Sequence, residues 1–264
     1  MMFDKINALL LTGGKTKISL RKFCRKENKA LIEITPDNTP MIIQVISAFK
    51  KAKHIDKIIV AGPEEVQILV KDWVNFVISG GQTIMDTVKS GLQLLQKDYH
   101  VLISACDIPL ITEEHIDSFI ETCNKYPGFD LYFPIIEKEL YQNLFPSPSL
   151  KRIYANLAEG SFTGGNIYLV NPQIFNEFGD IINNFIYFRK HPLKMARLLG
   201  PHITIKYLRK YLSVKDLEKK FSELFEGYKG KAIPAPPEIA LDIDKPAHLR
   251  KIREMFARKA TRIT

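Results

Sequence analysis

The sequence predicts an α/β protein: a mostly parallel, mixed sheet flanked by helices, with a helical insertion in the C-terminal half. Three observations predict it. Apolar runs of strand length recur at 7–11, 57–61, 75–79, 100–105, 130–135 and 166–170. Helical patterns alternate with them, as when crossover helices join parallel strands. The 264 residues are 45% hydrophobic and 25% charged, the balance of a globular chain with a sizeable core.

The elements follow in order. NALLL is the first strand and runs into LTGGKTK. Thr39 and Pro40 read as N-cap and first helical residue, and Ile42, Ile43, Val45, Ile46 and Phe49 give that helix a buried stripe. KIIVA and NFVIS supply two more strands. A helix from about Gln82 carries Ile84, Met85, Val88, Leu92 and Leu95 on one face. HVLISA is the fourth strand, and Thr112 with Glu113 and Glu114 opens the next helix, its acids beside the positive end of the dipole. After DLYFPI the rhythm breaks. Residues 136–160 contain NLFPSPSLK and read as a loop or excursion. NIYLV returns to the sheet, and 172–228 reads as helical. IALDIDKP alternates as a strand does, sending Asp242 and Asp244 to one face. The final PAHLRKIREMFARK is an amphipathic helix with a basic, solvated face. Trp73 and the Phe-rich IFNEFGDIINNFIYF read as core or pocket wall.

The formal charge of +9 favours anionic partners without choosing among them. No nucleic-acid-reading module is present and the basic residues are spread along the chain, so nucleic acid is not expected. No apolar run reaches bilayer-spanning length, and the N-terminus lacks the layout of a signal peptide; the chain reads as cytoplasmic, with no membrane partner. Cys24, Cys106 and Cys123 have neither disulfide nor zinc spacing and read as reduced, mostly buried thiols. The six histidines show no metal spacing.

Asp107 follows the fourth strand directly, where open α/β sheets gather their ligands. A lone acid there suits Mg²⁺, which takes one or two carboxylates and completes its octahedron with phosphate and water. It also suits a turn before Pro109. In LLTGGKTK, Gly13 and Gly14 let the backbone approach an anion, and Lys15 and Lys17 bring charge. The G-K-T at 14–16 is not a Walker A motif, because Leu9 stands where its first glycine belongs.

Taken in order, LLTGG, NKAL, SGGQTIMDTVKSGLQLL, ACDIPLIT, FTGGNIYLVNP and ALDIDKPAHL resemble the molybdenum cofactor guanylyltransferase-like (MobA-like) NTP transferases, members of the nucleotide-diphospho-sugar transferase fold, which is Rossmann-like. The resemblance implies a single nucleotidyltransferase domain over 1–264, with 136–160 and 176–230 as acceptor-side excursions. It implies NTP and a small-molecule acceptor as partners and Mg²⁺ as cofactor. Leu11, Thr12, Gly13, Gly14, Lys15 and Lys29 would hold the phosphates, and Gly80, Gly81 and Thr83 would lie near the base. Lys15, Lys29 and Asp107 would be the catalytic groups, with Asp107 the main metal ligand and Asp244 or Asp242 the second acid. Gly165 and Asn166 would border the acceptor. Thr12 replaces the alanine usual in the family's loop, and Lys17 or Arg21 must stand in for its arginine. A nucleotide-sugar-dependent glycosyltransferase of the same fold is a competing reading; such enzymes commonly place a second aspartate where Ala105 stands. A catalytically silent nucleotide-binding protein is the third.

Overall fold

The computed structural model describes residues 2–95, 100–188 and 190–261, without the side chains of 259 and 260. Its strands are β1 (Ile6–Leu11), β2 (Ile55–Gly62), β3 (Phe76–Ser79), β4 (Val101–Ala105), β5 (Leu131–Glu137), β6 (Ala155–Leu157), β7 (Gly160–Gly164), β8 (Ile167–Val170) and β9 (Gly230–Pro234). Among the described residues they form one sheet in the order β3-β2-β1-β4-β8-β5-β7-β6, with β9 beside β5. β1 is parallel to β2 and β4, and β2 to β3. Only β7 and β8 run against the others. The six apolar runs all became strands.

Central strands take uninterrupted apolar runs because helices cover both faces. Ala8, Leu9 and Leu10 have no exposed surface, and neighbouring residues alternate between two core layers. Ala8 and Leu10 face the layer built with helices Met41–Lys51, Glu113–Asn124 and Pro246–Thr261; Leu9 faces Met85 and Val88 of helix Ile84–Leu92. No helix among the described residues is long and apolar enough to cross a membrane.

Four expectations need correction. The helix after Pro40 starts at Met41, not at Pro40 itself, and the Thr39 hydroxyl donates to Asp37 instead of capping it. Residues 136–160 are not a loop: β5 continues to Glu137, helix Lys138–Leu144 follows, and β6 and β7 pair as a hairpin inside the sheet. The buried Tyr141, whose hydroxyl donates to the Leu150 carbonyl (3.0 Å), fastens the Pro/Ser stretch to that helix. Residues 241–245 form no strand and pair with none among the described residues; Leu241 and Ile243 are buried, and Asp242 and Asp244 still come within 4.8 Å of each other. Trp73 is 43% exposed under Lys50 and is not core.

β7 and β8 are nearly one strand, bent at Gly165, and both border the same side of β5. A Cβ at Gly165 would come within 2.8–2.9 Å of Ile239 and Pro134, so only glycine lets the backbone pass. Between β8 and β9 lies an insert with five helices among the described residues, from Gln173–Glu177 to Val214–Leu224. Its two ends meet at one residue. Asp130 accepts from Asn171 N (2.7 Å) and Asn171 Nδ2 (3.1 Å) and from Lys229 N (2.9 Å), and donates its own N–H to Lys229 O (2.8 Å).

Candidate active site

The parallel strands β1, β2, β3 and β4 all end on one edge: Leu11 pairs with both Ala61 and Ala105, and Gly62 with Ser79. Thr12, Gly62, Gly80 and Asp107 therefore crowd the same rim. Thr12 is fully buried. Its N–H (2.8 Å) and hydroxyl (2.9 Å) both donate to Ala61 O, and its carbonyl accepts from Asn28 Nδ2 (2.7 Å). The hydroxyl lies against Gly62, where any Cβ would sit 1.7 Å from it. The threonine in place of alanine thus turns inward, and Gly13 and Gly14 project at the rim with open space around Gly13. Leu11 is half-buried at the end of β1, and Lys15 is exposed.

Asn28 caps the short turn Lys29–Leu31, which aims Lys29 inward. The Lys29 N–H donates to Gly14 O (2.9 Å), and its Nζ bridges Asp107 and Asp244 Oδ1 (2.9 Å), all three side chains under 20% exposed. The main-chain bond from Ile243 N to Asp107 O (3.1 Å) brings the late segment here. Burial would lower the Lys29 ammonium, but the two carboxylates outweigh it and hold its pKa above the usual lysine value. Burial opposes ionisation of Asp244, and Lys29 and Lys190 overcome this, keeping the acid well below the carboxylate range.

Asp107, Asp242 and Asp244 place one carboxylate oxygen each within 4.8 Å of one another. Four cations balance them. Besides Lys29, Lys190 lies 2.7 Å from Asp244 and 3.7 Å from Asp242, Lys17 lies 3.4 Å from Asp244, and Arg152 lies 2.7 Å from Asp242. Sequence reasoning missed Arg152 and Lys190, which come from the Pro/Ser stretch and from the insert and have no local signature. Arg152 also reaches Thr163 Oγ1 (3.2 Å), Gly164 O (3.3 Å) and Ala240 O.

The structure therefore gathers Lys29, Asp107, Asp242 and Asp244, and reaches Gly14 through Lys29. Gly80 donates to Gly62 O (3.1 Å), and Gly81 to Thr87 Oγ1 (2.9 Å). Thr83 caps the helix behind them in a reciprocal pair with Asp86. Gly165 and Asn166 line a cavity beside the acids; the Asn166 side chain donates to Ile239 O and Ala240 O. Cys106, next to Asp107, is fully buried and its thiol is pushed far up by burial, so it is no nucleophile.

The fold has relatives among solved structures. A hypothetical transferase from Thermus thermophilus is 28% identical, with a TM-score of 0.76, over 93% of this chain and 99% of that one. A CMP:2-keto-3-deoxy-manno-octonic acid synthetase complexed with CTP matches at 13% identity and TM-score 0.63, over 97% of this chain and 99% of that one. A 4-diphosphocytidyl-2C-methyl-D-erythritol synthase from Anaerococcus prevotii matches at 14% and 0.57, with the same two shares. No curated protein matches the chain. The mixed sheet is a fold this chain shares with nucleotidyltransferases, and this chain is one. The profile of the MobA-like NTP transferase domain matches residues 8–203, and the chain belongs to that family.

Proposed function

We propose that the protein moves a nucleoside monophosphate from an NTP to a phosphorylated or hydroxylated small molecule, releasing pyrophosphate, with Mg²⁺ as the required ion. The observation that carries this reading is the meeting of Asp107, Asp242 and Asp244, the first and last of them bridged by Lys29, one hydrogen bond from the glycine loop. An acceptor oxygen attacks the α-phosphorus, the bond to the α–β bridging oxygen breaks, and pyrophosphate leaves with the electron pair. The protein has to align two anions and stabilise charge as it spreads.

Hard oxygen donors within 4.8 Å of one another suit Mg²⁺ in chemistry, and the ion would need only one or two of the three. Asp107 and Asp244, with Asp242 as the further acid, would hold it, and it would neutralise charge between the phosphates. Gly13 and Gly14, with Leu11 and Thr12 behind them, would bring main-chain groups to the triphosphate, where Lys15 and Lys29 supply positive charge. Gly80, Gly81 and Thr83 would flank the base, and Gly165 and Asn166 the acceptor.

Thermal melts with each NTP, with and without Mg²⁺, test the reading: one NTP should stabilise the protein only with the metal, and pyrophosphate should appear once cell extract supplies the acceptor. Asp107→Asn should fold normally and lose Mg²⁺-dependent turnover. Full activity in that variant would remove Asp107 from the centre. Stabilisation by nucleotide sugars alone would favour the glycosyltransferase reading instead.

A further inference from the structure

The cavity beside the acids has a volume of about 460 Å³, the size of a small-molecule site. Two groups of residues line it, each held together by its own contacts. One is the ion-paired set of Lys17, Arg152, Lys190, Asp242 and Asp244. The other is apolar: Met195, Leu199, Leu212 and Leu217 of the insert pack together in a small core, with Leu157 of β6 against it. A molecule that satisfies both carries an anionic head on an apolar body. The head is better a phosphate than a hydroxyl, because a phosphate monoester needs no base to become a nucleophile, and these carboxylates are engaged with cations.

The outside of the insert adds an independent observation. Lys and Arg are spread along the chain, but between Asp180 and Asp216 eight of them stand without one Asp or Glu in the sequence; Lys190 of these belongs to the acidic cluster and Lys206 pairs with Asp216, which leaves six. Large apolar side chains stand out among these cations: Tyr187 is 76% exposed, Leu208 63% and Tyr211 73%. Lys194, Arg197, Arg209 and Lys210, which alternate with them along the same stretch of sequence, are exposed as well. Cations interleaved with protruding aromatic and aliphatic groups suit an anionic lipid surface, where the charges meet headgroups and the apolar tips enter the acyl boundary.

Resting on the nucleotidyl-transfer reading, we propose that the acceptor is a lipid phosphate, a phosphate monoester on an apolar chain, taken from an anionic membrane surface by the insert. A phosphate oxygen of the lipid attacks the α-phosphorus, the α–β bridging bond breaks, and pyrophosphate leaves with the electron pair. No proton moves, and the product is a lipid-linked nucleoside diphosphate. This departs from the expectation of no membrane partner, which came from the lack of spanning runs; a surface contact needs none.

Two binding measurements test it, and neither needs NTP, so failure here is separate from failure of the nucleotide reading. The first titrates the protein with inorganic phosphate and with ethyl, butyl, hexyl and octyl phosphate. Affinity should rise about fourfold per methylene until the apolar part is filled, the factor for ~0.8 kcal/mol per buried CH₂. Ile153→Glu, at an exposed position on the cavity wall, should flatten the series. The second floats the protein with phosphatidylcholine vesicles that contain or lack phosphatidic acid. It should float only with the acidic vesicles. Lys194→Gln combined with Arg209→Gln should cut that partitioning about thirtyfold, from ~1 kcal/mol per cation. Leu208→Ser with Tyr211→Ser should cut it further at an unchanged melting temperature. A flat alkyl series overturns the proposal, and so does a rising series without vesicle binding, which would assign the cavity to a water-soluble amphiphile.

Discussion

Lys29→Met removes one ammonium from the acidic cluster and keeps a side chain of similar length to pack beside Gly14. In the wild type that ammonium touches Asp107 and Asp244, and the three side chains are 9%, 17% and 16% exposed. Taking away one partner of a buried ion pair costs about 3–5 kcal/mol, because the other charge stays behind. Here Asp244 keeps Lys190 at 2.7 Å and Lys17 at 3.4 Å, and the rim is partly wet, so the loss should be about 2–3 kcal/mol. At this chain size each kcal/mol shifts the melting temperature by roughly 2–4 °C, which predicts a fall of about 5–10 °C. Calorimetry in metal-free buffer measures it. Repeating the scan with Mg²⁺ should raise the variant more than the wild type, since no ammonium then competes for Asp107 and Asp244. An unchanged melting temperature would refute the ion-pair argument, and an equal Mg²⁺ response would refute the idea that lysine and metal share those carboxylates.

Further expectations concern the supporting fold. Gly62→Ala drives a methyl into the Thr12 hydroxyl and should cost about 1–3 kcal/mol; adding Thr12→Ala should return part of it, and simple additivity in urea unfolding would disprove the contact. His100 packs on Phe3 and Tyr132 and meets Phe129 O at 2.9 Å, and burial pulls its pKa below the ordinary value. A lowered folded pKa gives stability that is fully present above about 6.5 and is lost as pH falls below it; His100→Gln should remove that slope, and identical pH profiles would reject the assignment.

The six strands were legible because residues such as Leu9, Val60 and Leu102 must be buried on whichever face they point to, and a continuous apolar run records that locally. β6, β7 and β9 were not: ANL and GSFTG are short and largely unburied, and GKAIP, though mostly buried, has only two adjacent apolar side chains before its proline and becomes a strand by pairing with β5 about 100 residues earlier. Of the acidic centre, Asp107, Asp242 and Asp244 stood out by their placement after and between apolar residues. Arg152 and Lys190 had no such mark: a single cation among many becomes part of a site only when folding carries it across the sheet. Trp73 was misplaced because a lone indole gives no period, and near the sheet edge it lies under Lys50 instead of in the core.

The double grip of Asp130 on Asn171 and Lys229 makes the intervening helices a cassette with coincident ends. Its length and sequence can then change without pulling β8 or β9 out of register, as tolerated insertions do when the chain leaves and re-enters at one point. The cassette also carries Lys190, so grafting it onto a related scaffold at this aspartate would bring one cation of the acidic cluster along with it.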